Sequence, residues 1–293
     1  MVKEDPARSR IDYPYIRLSE GIQNMAKMEE RRLVDNELVR TGIDGLDKVL
    51  GGGIPRGRCV LVMGGPGTGK TTLCLQFLYN GAVEFGENGI YITLQESPEH
   101  IRKDMLKIGL DFEILEEEDR LRIIDYSASA YLSSISERVV GYSSESFLQM
   151  EKSEEMAEKF GNLIKSIKET AREIQAQRIV LDPITGLMFQ EPDPIMRRIK
   201  THGLFQAINE TGCTSLVVSE ARVSEAGRDY QAEEYFANGV ILLQNFGERG
   251  TVVRGISVLK MRGVAHDLQP RPCQIGKKGI IVFPDEKIFS EKG

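Results

Sequence analysis

The run Gly64-Gly65-Pro66-Gly67-Thr68-Gly69-Lys70-Thr71 fits G-x-x-x-x-G-K-[ST], a pattern in which each fixed position has its own chemical task. Gly65, Gly67 and Gly69 let the backbone turn until successive N–H groups face phosphate oxygens, with Pro66 and Thr68 filling the loop. A helix expected over Thr72 to Asn80 adds the positive end of its dipole. Lys70 is expected to bridge the β- and γ-phosphates, and Thr71 to give its hydroxyl oxygen to Mg²⁺. The ligand these residues call for is a nucleoside triphosphate with its metal.

Such a site needs an acid at the end of a second buried strand, to hold the metal through water. Ile179-Val180-Leu181-Asp182 supplies one, so Asp182 is the second anchor. Hydrolysis also needs a group that orients or deprotonates water, expected at the tip of the strand after the first helix. That tip reads Gln95-Glu96, and Glu96 is the candidate base. A carboxylate just before Ser97-Pro98 could equally cap a helix.

The elements that must position these groups alternate along the chain. Short β-rich runs occur at 58–63, 90–94, 121–124, 178–181, 215–218 and 240–243, several of them continuously apolar and separated by helical stretches. That pattern predicts an α/β fold with a mostly parallel central sheet covered by helices on both faces. The clearest helix is expected from Glu154 to Ala176, capped by Ser153, with Met156, Phe160, Leu163, Ile164, Ile167, Ala171 and Ile174 as its packing stripe. Residues 255–260 and 274–283, the latter broken by Lys277-Lys278-Gly279, predict strands ending in a C-terminal β-hairpin. Residues 1–18 read as a loose tail, and Ser19 to Val39 as an amphipathic helix docking on its own domain or a neighbouring subunit. The organisation is therefore an N-terminal extension, 1–39, before one nucleotide-binding domain, 40–293.

Composition narrows the class. Apolar residues make up 41% and charged residues 28% of 293, ordinary globular usage, so wholesale disorder is not expected. No apolar run approaches the ~18 residues of a membrane helix and the first residues lack a secretory leader, so a cytoplasmic protein with no membrane association is expected. Cys59, Cys74, Cys213 and Cys273 form no Cys-x-x-Cys pair, which argues against a metal knuckle or a disulfide framework, and Cys59 and Cys213, in or beside apolar strand-like runs, are expected as buried thiols. The net charge of −6, with eight basic and eight acidic residues in the first 40, gives no basic arm.

Beyond the phosphate loop, the sequence resembles the KaiC family within the RecA-like ATPases over roughly Arg40 to Pro284. The opening Arg40-Thr41-Gly42-Ile43-Asp44-Gly45-Leu46-Asp47, then Gly51-Gly52-Gly53-Ile54-Pro55-Arg56-Gly57, looks like that family's entry. Lys260-Met261-Arg262-Gly263-Val264-Ala265-His266 is similar to its K-x-R-G-x-x-H signature. The resemblance implies ATP as substrate, a RecA-like fold, and self-association into a ring, a hexamer, with nucleotide between subunits. It implies that Lys260 and Arg262 reach the γ-phosphate of a neighbour's ATP, with His266 beside the nucleotide. Read without the family, Lys260 and Arg262 alternate on a strand as a solvated edge would. The chain departs from the family at Gln95, where a carboxylate usually precedes Glu96, so slow hydrolysis is expected. The family's autophosphorylated Ser and Thr correspond to Glu234 and Tyr235, which disfavours autokinase activity.

Three functions compete: an ATP-driven oligomeric regulator, with an unidentified protein partner possible; a DNA-binding recombination ATPase; and an ATP-sensing scaffold with little turnover. The second needs basic loops at a ring centre. Residues 188–198 and 222–231 carry Arg197, Arg198, Arg222 and Arg228 but also Glu191, Asp193, Glu225 and Asp229, so no basic funnel emerges. No N/T-K-x-D motif is present, which favours ATP over GTP.

Overall fold

The computed structural model describes residues 38–127, 154–188, 191, 193–221, 223–224, 227–228, 230–248 and 251–288. The predicted tail, most of the predicted N-terminal helix and Ser153 lie outside them. The last two residues of that predicted helix, Leu38–Val39, are strand.

A nine-stranded sheet organises the rest: β1 (Cys59–Gly64), β2 (Gly89–Thr93), β3 (Leu121–Asp125), β4 (Arg178–Asp182), β5 (Thr214–Glu220), β6 (Gly239–Glu248), β7 (Thr251–Met261), β8 (Arg271–Gly276) and β9 (Gly279–Val282). Their spatial order is β9-β8-β7-β6-β1-β5-β4-β2-β3. From β6 to β3 every pair is parallel, while β7, β8 and β9 add antiparallel strands beyond β6. The predicted mostly parallel sheet and C-terminal hairpin are both present.

The central strands are mostly apolar and almost wholly buried because both faces are covered. Successive side chains on β1 point to opposite faces. Val60 and Val62 enter a core with Leu73, Phe77 and Tyr91, under helix α1 (Lys70–Phe85). Cys59, Leu61 and Met63 enter the opposite core. That second core receives Leu163, Ile167 and Ala171 from helix α4 (Glu154–Glu173), and Leu204, Phe205 and Ile208 from α5 (Pro194–Asn209). The helices between, α2 (Pro98–Lys107) and α3 (Phe112–Glu117), pack on the first face through Ile101, Met105, Phe112 and Leu115. Helix α4 stops before the predicted Ala176: Gln175 takes φ 50° and the Ala176 amide closes back on Ala171 O at 2.9 Å. All four cysteines are buried and free, and burial pushes the Cys59 thiol up to about 12. No helix among the described residues is long and apolar enough to cross a membrane.

Two polar anchors fix the phosphate loop's surroundings. Buried Gln76 on α1 accepts from Ile280 N at 2.6 Å and donates to Lys278 O and Ile280 O at 3.3 Å, tying α1 to the β8–β9 hairpin. At the chain's opening, Asp47 Oδ1 accepts from both the amide and the hydroxyl of Thr41 at 2.8 Å, and Asn80 of α1 donates to Gly42 O at 2.7 Å. The motif at 40–47 is thus a hydrogen-bonded clasp on α1.

Candidate functional site

The loop Gly65 to Gly69 leaves the C-terminal end of β1 and turns directly into α1, whose N-cap Gly69 has φ 101°. Leu73 N is bonded to Gly69 O, so the amides of Lys70, Thr71 and Thr72 precede the helical ladder and remain as donors at the positive end. Thr68 bonds back to Gly65 O at 2.9 Å and braces the turn. A Cβ placed on Gly65 or Gly67 would meet nothing within 4 Å, so the loop is unobstructed at both positions.

A cleft of about 400 Å³ opens beside this loop, lined by Pro66, Lys70, Thr71, Tyr91, Thr93, Gln95, Glu96, Asp182, Pro183 and Glu220. Strand order builds it: β4 and β5 follow β1 on one side, and β2 lies next to β4. The ends of four parallel strands therefore converge on α1. Lys70 Nζ rests on the carbonyls of Gly64 and Gly65 at 2.9 Å each. Burial lowers its pKa, while the Asp182 and Glu220 carboxylates oppose that shift. Thr71 Oγ1 donates to Asp182 Oδ2 at 2.7 Å, so the two expected metal-holding groups lie together. Burial raises the Asp182 pKa against the Thr71 and Tyr91 hydrogen bonds and the Lys70 charge.

Glu96 also lines the cleft, three residues beyond Thr93, which pairs with Asp182. Its backbone is held by Thr93, whose hydroxyl donates to Glu96 O at 2.6 Å and accepts from Glu96 N at 3.1 Å. Helix α2 is capped by Ser97, whose hydroxyl accepts from His100 N, with Pro98 as the first helical residue. Glu96 has no capping role and its side chain belongs to the cleft. Burial and the Asp182 charge raise its pKa.

These groups suit Mg²⁺ and a phosphate chain. A hydroxyl and a carboxylate are hard oxygen donors, and a metal that keeps its waters and takes phosphate oxygens needs few protein ligands. The loop amides and Lys70 supply the anion side.

The structure does not bring Lys260, Arg262 or His266 to this cleft. Lys260 pairs with Val240, which is level with Leu61, and the Arg262 amide bonds to Asn238 O, whose own amide bonds to Cys59 O. Lys260 therefore lies three residues short of Gly64 and two strands away, about 10 Å in each direction. Its ammonium donates to Ala237 O at 2.7 Å and Glu234 O at 2.9 Å, at helix α6 (Ala232–Phe236). Arg262 is exposed, so the pair is only half the solvated edge that spacing alone predicts. His266 lies in the turn whose next residue, Asp267, bonds to Val49 O. Its Nδ1 is 3.2 Å from Val264 O, and its Nε2 is buried without a partner among the described residues.

Four cleft residues, Tyr91, Thr93, Pro183 and Glu220, escape a reading of the sequence. Glu220 ends a buried strand as Asp182 does, and that signal was present. Tyr91 sits inside a strand, and nothing local marks it.

A family model described as the KaiC ATPase matches residues 39–287. A UPF0273 protein of Thermotoga maritima is 36% identical over 248 residues, covering 85% of this chain and 96% of the relative. One from Methanocaldococcus jannaschii is 37% identical over 249 residues, covering 85% and 97%. The circadian clock oscillator protein KaiC of Synechococcus elongatus is 32% identical over 248 residues, a match spanning 84% of this chain and 44% of KaiC. Among solved structures, a KaiC-like protein from Pyrococcus horikoshii superposes with a TM-score of 0.69 at 31% identity, covering 84% of this chain and 99% of the other. The fold is RecA-like, and the chain belongs to the KaiC family of ATPases.

Proposed function

We propose that the chain is a Mg²⁺-dependent ATPase whose active form is a closed ring of six, acting as a nucleotide-switched regulator. Residues 40–293 form the ATPase domain and 1–39 an extension. The observation that carries the reading is the convergence of Lys70, Thr71, Asp182 and Glu96 on one cleft at the end of the parallel strands. The loop amides and Lys70 bind and orient the phosphates, and Asp182 and Thr71 hold the metal. Mg²⁺ neutralises charge on the phosphate oxygens when bound. Glu96 takes a proton from the attacking water as the bond to the γ-phosphorus forms and ADP leaves.

Ring assembly is supported by what the cleft lacks. Arg262 is exposed and does not line its own cleft, as a residue completing a neighbour's site would be. The DNA-binding reading gains little, because Arg197 is committed to Glu191 O at 2.8 and 3.0 Å and Arg198 lies over the Phe236 ring. Arg222 and Arg228 have no described side chains.

The test pairs ATP turnover with nucleotide binding and sedimentation. Lys70→Ala is expected to weaken ATP binding at least ~10-fold, because it removes the charge-assisted contact to the phosphates. Wild-type affinity in that variant, or full turnover from a monomer, would sink the proposal.

A further inference from the structure

Tyr91 is a core residue, 2% exposed, whose hydroxyl donates to Asp182 Oδ2 at 3.0 Å. Its position follows from register. Thr93 on β2 pairs with Asp182 on β4, and Tyr91, two residues earlier, projects from the same face. A diagonal neighbour of that kind is within reach of a long aromatic side chain. Packing alone would be served by phenylalanine. A hydroxyl buried here would cost free energy without a partner, and its partner is the carboxylate placed to hold the metal.

Thr71 Oγ1 donates to the same oxygen at 2.7 Å. Two donors thus converge on Oδ2, which fixes the carboxylate's rotation and leaves Oδ1 as the oxygen available to a metal or its waters.

We propose that Tyr91 is a positioning residue that holds Asp182 for Mg²⁺ and against Ca²⁺. Mg²⁺ accepts a fixed, single-oxygen or water-mediated carboxylate in an octahedron. Ca²⁺ favours more ligands at longer distances, often both oxygens of one carboxylate, and a carboxylate pinned through Oδ2 cannot swing to provide them. The inference rests on the nucleotide-binding reading above.

The experiment measures the dissociation constant of a fluorescent, non-hydrolysable ATP analogue in EDTA, in Mg²⁺ and in Ca²⁺. It compares the full-length parent with Tyr91→Phe, and melting curves without nucleotide confirm that the variant is folded. Affinity in EDTA is expected to stay within about twofold of the parent. The tightening produced by Mg²⁺ should fall ~10-fold or more, as loss of an outer-shell partner does elsewhere, and the Mg²⁺ over Ca²⁺ preference should fall with it. In an Asp182→Asn background, Tyr91→Phe should add nothing further. Unchanged Mg²⁺ tightening, a parallel loss for both metals, or an undiminished effect in the Asn background overturns the proposal. Lys70→Ala separates the two layers. If that variant binds the analogue like the parent, the nucleotide reading itself has failed.

Discussion

The ammonium of Lys260 lies 2.7 Å from the carbonyl oxygen of Ala237, on a strand position level with Leu61 and so about 10 Å short of the phosphate loop of the same chain along the strands. Burial and the neighbouring Arg262 lower its pKa, with Glu234 opposing. Two residues of one signature are therefore treated differently, Lys260 docked and Arg262 exposed.

That arrangement predicts catalysis in trans. Arg262→Ala should lower turnover by about 10³-fold while changing ATP affinity little, since a cation supplied by a neighbour acts mainly on charge moving in phosphoryl transfer. Lys in its place should rescue poorly, for want of the planar guanidinium fork. Mixing Arg262→Ala with Glu96→Gln subunits should restore part of the activity, because some interfaces then pair two intact residues. No recovery in rings shown to be mixed would defeat the trans model.

Glu96 predicts a pH dependence. A general base works deprotonated, and burial beside Asp182 raises its pKa, so turnover should fall as pH drops through a midpoint above the usual carboxylate range. Glu96→Gln should lower kcat by ~10² to 10⁴ and leave ATP affinity within a few-fold. A kcat profile from pH 4.5 to 8 with no acid limb, together with normal turnover in the Gln variant, would remove Glu96 from the mechanism.

Two glycines of the loop separate backbone strain from packing. Gly67 and Gly69 both have positive φ, 70° and 101°, but a Cβ at Gly67 meets nothing whereas one at Gly69 would lie 2.9 Å from Ile275 Cδ1. Alanine at Gly67 should cost about 1–2 kcal/mol from conformation alone. Alanine at Gly69 should cost more, because Ile275 or Ile280 must also shift. Urea denaturation without nucleotide measures the difference, and equal losses would contradict it.

Stability should depend heavily on Arg178, whose side chain is fully buried at the start of β4. Its Nε and Nη2 meet Glu87 Oε2 at 2.8 and 2.7 Å, and its remaining donors reach Phe77 O and Arg40 O at 2.7 Å. Glu87→Ala leaves that cation buried without a counter-charge and should destabilise by about 3–5 kcal/mol. Paired apolar replacement of both residues should cost less than the single change. Chemical denaturation of the three variants decides the order.

The chemistry of single positions was legible in the sequence because it depends on local covalent facts. Glycine takes the positive φ of positions 67 and 69 with least strain, the lysine and threonine that follow complete the spacing expected of a phosphate loop, and an acid closing an apolar strand stands at that strand's C-terminal end whatever its neighbours. The alternation of strand and helix likewise followed from side-chain period and burial. What the sequence left open were relations between elements. Glu96 could have been a cap until Ser97 was seen to fill that role. Tyr91 meets Asp182 because β2 lies against β4 in a register that puts Thr93 opposite Asp182. Glu220 joins the cleft because β5 separates β1 from β4. Lys260 lies short of its own loop because β7 runs antiparallel to β6 and pairs Lys260 with Val240, near the start of that strand. Strand order and register are set by the packing of the whole sheet against its helices, and no short window of residues contains them.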